Sequence, residues 1–324
     1  MGAEIAHVAA VCGMDVLLAD ADLARAEAGR ARALDIGARR LERGRLGAAD
    51  AAGAAGRITP VGGIGELADV DVVIEAVPED LDLKVRVHEQ IDATVRPDIL
   101  VATNTSGLSV TALADATRTP SRLIGLHFFN PASTMRLVEV IAGAATDDVA
   151  IARAVELAAQ LGKTPVRVRE CPGFVVNRIL VRAMAEAYRA AAAAAVDRRA
   201  ADRVVVEGGP APMGPFALGD LVGLDVLESI RADLEAAYGD RFADGGTLAP
   251  LVARGALGRK TGAGLVPDSD GAPTGTEPVV AAVYYAAAMD EARRLADERV
   301  ASPDDIDLAM CLGAGWEAGP LAAG

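Results

Sequence analysis

The sequence predicts an α/β fold, a doubly wound parallel sheet that lacks its first strand, followed by all-α helical domains. Three observations carry this. Short apolar runs alternate with helical patterns up to about Arg169. The stretch Val70–Val77 reads as a strand buried on both faces, with Val72-Val73-Ile74 apolar without a break before Glu75-Ala76-Val77-Pro78-Glu79-Asp80. Beyond Pro172 the chain changes to long alanine-rich helical stretches with no strand alternation.

In chain order, Met1 to Ala10 reads as a helix start and Asp15–Asp20 as a strand. A helical stretch carrying Arg39, Arg40 and Arg43 comes next, then the strand at 70–77. Ile99–Ala102, Leu123–Leu126 and Arg136–Ile141 supply further short strands, giving a sheet with ligands at its strand ends. Pro172-Gly173 reads as a hinge, and a helix beginning near Phe174 carries Asn177.

Chemistry concentrates around the strand at 123–126. His127 ends the run Leu123-Ile124-Gly125-Leu126-His127, and Glu139 lies in a second run, Leu137-Val138-Glu139-Val140-Ile141. A lone histidine beside a strand is more often core filler than a catalyst. Beside a carboxylate in a dry site it suits removal of an alcohol proton near neutral pH. Glu139 would fix its tautomer and stabilise the imidazolium. Ser106 and Asn177 flank the pair in sequence and can hydrogen-bond the reacting oxygen. Together the four groups read as an oxidoreductase site.

The segments NTSGLSVTAL (104–113), RLIGLHFFNPA (122–132), LVEVI (137–141) and PGFVVNRI (172–179), in this order and spacing, resemble the L-3-hydroxyacyl-CoA dehydrogenase family. The likeness covers nearly the whole chain. It implies His127 as the catalytic base, Glu139 as its orienting carboxylate, and Ser106 and Asn177 as substrate contacts. It places Ala76, Glu79, Lys84, Asn104 and Asn130 beside NAD. Arg39, Arg40 and Arg43 become candidates for coenzyme A phosphates, with a solvated helix face as the alternative. The implied reaction is NAD-dependent oxidation of a short L-3-hydroxyacyl-CoA, as in fatty-acid breakdown. Related sugar-acid or carnitine dehydrogenases on the same scaffold, and a non-catalytic binding protein, remain alternatives. Where the family has a Phe-Tyr pair after the glycine run Gly258–Gly264, this chain has Leu265-Val266.

The N-terminus departs from the pattern. A Rossmann-type dinucleotide fold opens with a buried strand running into G-x-G-x-x-G at a helix N-terminus. This chain resembles the family only from Gly2, the last glycine of that motif, so the first strand and two glycines are missing. A start assigned at an internal methionine is the expected cause. Asp20, ending the next strand, stands where the carboxylate that binds the ribose 2′-hydroxyl belongs, which argues for NAD over NADP.

At 324 residues the chain can hold two or three domains. A net charge of −14 argues against unspecific binding to nucleic acid or anionic membranes. Cys12, Cys171 and Cys311 lack metal-like spacing and cannot all pair with one another, so no metal is expected and a reduced cytoplasmic protein is the simplest reading. His7 and His88 fall in helical patterns rich in ordinary surface partners. No uncharged apolar run reaches the ~18 residues a spanning helix needs.

A shift of 105 residues brings Met184, Glu186, Ala187, Arg189, Asp202, Gly208, Gly214 and Pro215 onto Met289, Glu291, Ala292, Arg294, Asp307, Gly313, Gly319 and Pro320. The expected organisation is therefore an NAD-binding domain over 1–169, a helical domain over 170–267, a linker over 268–278, and a partial second helical copy over 279–324. Family members with one helical domain dimerise through it. An internal copy can take the partner's place, which favours a monomer or a looser homo-oligomer.

Overall fold

The structure, a computed structural model, describes residues 1–266 and 274–322, and the chain divides into two compact units at Glu170 and Cys171. The first unit opens with helix α1 (Gly2–Val11), strand β1 (Val16–Ala19), helices α2 (Leu23–Glu42) and α3 (Ala48–Arg57), and strand β2 (Ile58–Val61). It continues with β3 (Val72–Glu75), α4 (Leu81–Thr94), β4 (Leu100–Thr103), α5 (Val110–Asp115), β5 (Leu123–Phe128), β6 (Leu137–Ala142), α6 (Asp148–Gln160) and β7 (Thr164–Arg169). Most helix starts are marked by a side chain that accepts an otherwise orphaned backbone N–H. Asp22, Asp80, Ser109 and Asp147 do this for α2, α4, α5 and α6.

The strands form two hydrogen-bonded sheets, β1-β2 and β3-β4-β5-β6-β7. β1 with β2, β3 with β4, β4 with β5, and β6 with β7 are parallel, but β5 and β6 are antiparallel. The all-parallel expectation fails at this one pair. A parallel return needs a crossover of a dozen or more residues, whereas residues 129–136 are only long enough to reverse the chain. β4, β5 and β6 are buried almost throughout, and α6 lays Ala150, Ala154, Leu157 and Ala158 on the core formed with Ile124, Leu126 and Val140. Gly125 is required there, because a Cβ would stand 2.9 Å from Ile141 Cβ.

His7 and His88 are 3% and 1% exposed, not the surface residues expected. The inner face of α1 is packed from Ile5 to Ala10, and Gly37 on α2 makes room for the His7 ring.

The second unit is helical: α7 (Val176–Ala194), α8 (Arg198–Gly208), α9 (Pro215–Val222), α10 (Leu224–Tyr238), α11 (Ala249–Ala253), α12 (Glu277–Asp297) and α13 (Pro303–Gly313). Of the expected linker, residues 268–273 lie outside the described residues. Glu277 and Pro278 already belong to α12, where Pro278 occupies the first turn, a position at which a missing N–H costs nothing. α7 packs along α12, and buried Arg178 joins them, its Nε 2.6 Å from Glu291 Oε1 and its fork on Glu298. Among the described residues no helix is long and apolar enough to cross a membrane.

Candidate active site

His127 and Glu139 are register partners across the antiparallel β5/β6 pair. Both are buried, and His127 Nδ1 lies 2.7 Å from Glu139 Oε2. A carboxylate oxygen accepts, so Nδ1 is the donor in this bond. The Phe129 ring lies 4.5 Å from the imidazole, centroid to centroid.

From this pair a continuous set of hydrogen bonds runs across the strand ends. The Phe128 N–H, next to His127, donates to Asn104 Oδ1 at 2.9 Å, and the Asn104 N–H donates to the Glu75 carbonyl at 2.7 Å. Glu75 is 4% exposed, and its side chain accepts from Lys84 Nζ (2.8 Å), Val77 N–H (2.6 Å) and Thr103 Oγ1 (2.6 Å), with His88 Nε2 at 3.2 Å. Burial pushes its carboxyl upward, but the His88, Lys84 and Thr103 hydrogen bonds and the Lys84 charge outweigh this and hold it at about 2. Lys84 is fully buried and also lies 3.6 Å from Glu79 Oε2. Glu79 in turn accepts from the turn that carries Ser106.

Sequence reasoning missed Glu75, His88 and Thr103. The available signal was a charged residue closing the apolar strand Val72-Val73-Ile74. Lys84 and Asn104, expected beside the cofactor, are buried within this network, whereas Glu79, Asn130 and Asp20 are exposed.

The cofactor expectations rest on α1, β1 and β3. Gly2 begins α1, and a Cβ on it would meet Ala76 Cβ at 3.8 Å, so the α1 N-terminus sits at the end of β3. The Met1 side chain makes no cap hydrogen bond there. Asp20 follows β1 and accepts the Ala21 N–H. An exposed carboxylate after β1 and a helix N-terminus beside the end of β3 suit a dinucleotide's ribose and pyrophosphate.

The remaining expected residues divide. Arg40 donates to the Ser133 carbonyl, while Glu4 Oε2 accepts the Ser133 N–H at 2.9 Å and Lys163 Nζ donates to the Met135 carbonyl at 2.8 Å. Arg40 thus helps clamp the turn after β5. Arg39 is exposed and pairs with Asp35, and Arg43 is exposed at the end of α2. In the second unit Asn177 is the second residue of α7, just after Gly173 and Phe174, both with positive φ. Among the described residues no cluster of His, Cys, Asp or Glu could hold a metal ion.

Residues 1–171 match the NAD binding domain of 3-hydroxyacyl-CoA dehydrogenase, and residues 173–267 match the C-terminal domain of the same family. The chain is 43% identical over 201 residues to a 3-hydroxybutyryl-CoA dehydrogenase of Clostridioides difficile, covering 62% of this chain and 72% of that protein. It is 41% identical over 271 residues to a 3-hydroxyadipyl-CoA dehydrogenase of Escherichia coli, covering 82% of this chain but only 56% of the relative. The crystal structure of a 3-hydroxybutyryl-CoA dehydrogenase from Escherichia coli K12 superposes with a TM-score of 0.89 at 30% identity, covering all of this chain and 89% of the other. With both domain matches in sequence order, the chain belongs to the 3-hydroxyacyl-CoA dehydrogenase family.

Proposed function

We propose that this protein catalyses the reversible oxidation of a short L-3-hydroxyacyl-CoA to the 3-oxoacyl-CoA with NAD. The observation that carries the reading is the buried His127–Glu139 pair, 2.7 Å apart at the end of β5. In oxidation, Nε2 takes the proton of the substrate hydroxyl and the Glu139 carboxylate stabilises the imidazolium that forms. NAD supplies the acceptor for the hydride that leaves the same carbon. In reduction, Nε2 returns the proton. Ser106 and Asn177 hydrogen-bond the reacting oxygen or the thioester carbonyl. Asp20, Gly2, Ala76, Glu79 and Asn130 border the cofactor, while Lys84 and Asn104 hold the strand ends from beneath.

The second unit fits two copies of one helical motif. Residues 198–208 form α8 and residues 303–313 form α13, each N-capped by the residue before it, Asp197 or Ser302. Asp202 Oδ1 accepts the Phe216 N–H at 3.0 Å, and Asp307 Oδ1 accepts the Leu321 N–H at 2.8 Å. The packing of α7 on α12 then supplies within one chain the pairing that a dimer would supply. Three free cysteines suit a reducing cytoplasm.

The test is consumption of NADH, followed by absorbance, with acetoacetyl-CoA. Turnover supports the reading. Turnover only with free 3-oxo acids would move the assignment to a related hydroxy-acid dehydrogenase.

A further inference from the structure

The segment Asn104-Thr105-Ser106-Gly107 links the two halves of the site, and each of its first three residues is held by a different device. Asn104 is fastened to the Phe128 N–H beside His127. Thr105 is fully buried, and its hydroxyl accepts the Leu108 N–H at 2.8 Å and the Gly107 N–H at 3.2 Å, closing the turn. Glu79, in the connection between β3 and α4, reaches the turn with a single oxygen. Its Oε1 accepts the Thr105 hydroxyl at 2.6 Å, the Ser106 N–H at 2.7 Å and the Gly107 N–H at 3.2 Å.

We infer that Glu79 is a positioning residue for Ser106, fixing the backbone of the 105–107 turn and so the place from which the serine hydroxyl reaches the substrate. The inference rests on the Ser106 role proposed above. Charge-assisted hydrogen bonds to backbone N–H groups are among the stronger ones, and three on one oxygen determine the turn more tightly than its sequence does. Gly107 gives the turn no side chain to pack, since a Cβ there would meet nothing within 4 Å. The carboxylate is steadied in turn by Lys84, 3.6 Å from Oε2, whose ammonium is pinned by Glu75. Lys84 therefore serves the site through Glu79 and needs no contact with cofactor. Because the Glu79 side chain is 40% exposed, a cofactor ribose can meet its outer face while Oε1 holds the turn. One carboxylate then couples cofactor to the substrate-binding hydroxyl.

The experiment combines kinetics with amide exchange on the full chain. Glu79→Ala should lower kcat at saturating NADH by about tenfold to a hundredfold, the scale of a misplaced catalytic group, and exceed any change in NADH affinity measured by fluorescence. In a Ser106→Ala background the same change should cost less than about twofold, because a lost hydroxyl cannot be misplaced. Exchange of the Ser106 and Gly107 amides should quicken at least ~10-fold with the melting temperature of the first unit unchanged. Glu79→Gln keeps an accepting oxygen and should restore most of that protection. Unchanged exchange in Glu79→Ala, multiplicative effects in the double variant, or a loss confined to NADH affinity would each overturn the inference. If the parent protein turns over no 3-oxoacyl thioester, the functional proposal falls, and amide exchange alone decides whether Glu79 positions the turn.

Discussion

His127 and Glu139 stand opposite each other in the register of β5 and β6, and the imidazole meets the carboxylate at 2.7 Å in a site almost closed to water. The pairing exists because residues 129–136 reverse the chain instead of crossing over. In the proposed mechanism the two groups act as one unit. Removing both should therefore cost little more than removing His127 alone. Independent, additive losses in the His127→Gln, Glu139→Gln double-mutant cycle would show that the carboxylate does not work through the imidazole.

His127→Gln should lower turnover of acetoacetyl-CoA by at least ~100-fold while changing NADH affinity little, since it removes the proposed proton carrier and leaves the strand ends intact. Steady-state kinetics beside fluorescence titration with NADH checks both halves. Near-normal turnover would remove His127 from the mechanism.

Glu75→Ala leaves the fully buried Lys84 ammonium without its closest carboxylate, 2.8 Å away. Breaking a buried pair on one side costs roughly 3–5 kcal/mol, so the first unit should melt far earlier in calorimetry. Replacing Lys84 as well, in Glu75→Gln/Lys84→Met, should recover part of that loss. The acid limb follows from the same carboxyl. Its folded pKa of about 2 is below the usual 4.5, so its contribution is present above pH 4.5 and is lost as pH falls toward 2.

Asp202 behaves in the opposite sense. Burial raises its carboxyl from the usual 3.8 to about 6, despite the Phe216 and Ala217 N–H groups it accepts. The folded state holds this proton more strongly, so its stabilising effect is complete below pH 3.8 and fades as pH rises through 6. The size is roughly 2–3 kcal/mol. Melting of the second unit between pH 4 and 7 should decline more steeply in the parent protein than in Asp202→Asn. Parallel curves would contradict the assignment.

A Cβ at Gly214 would lie 2.2 Å from Asp202 Oδ1, and one at Gly319 would lie 2.2 Å from Asp307 Cβ. If 198–215 and 303–320 are copies of one motif, Gly214→Ala and Gly319→Ala should both destabilise the second unit by about 1–3 kcal/mol. Chemical denaturation would show it. A tolerated Gly319→Ala would separate the two motifs.

The strands at 72–75, 100–103 and 123–128 were legible because each is a short apolar run whose burial depends on its own residues. β2 was not, since Ile58-Thr59-Pro60-Val61 follows α3 directly and carries a proline, tolerated because β2 pairs on one side only. His127, Glu139, Ser106 and Asn177 could be put forward as a set because the segments that carry them resemble a family. Glu75 and His88 were not, because nothing local distinguishes them from an acid at a strand end and a histidine on a helix.

The order of elements and the family follow from residues close together in the chain, since apolar periodicity, capping and motif spacing are local properties. Which charges meet is set by the fold. Glu75, Lys84, His88 and Thr103 come from β3, α4 and β4, and Glu79 reaches the Ser106 turn from outside either element. Their attraction becomes strong only after folding removes water from around them, and no separation along the chain records that.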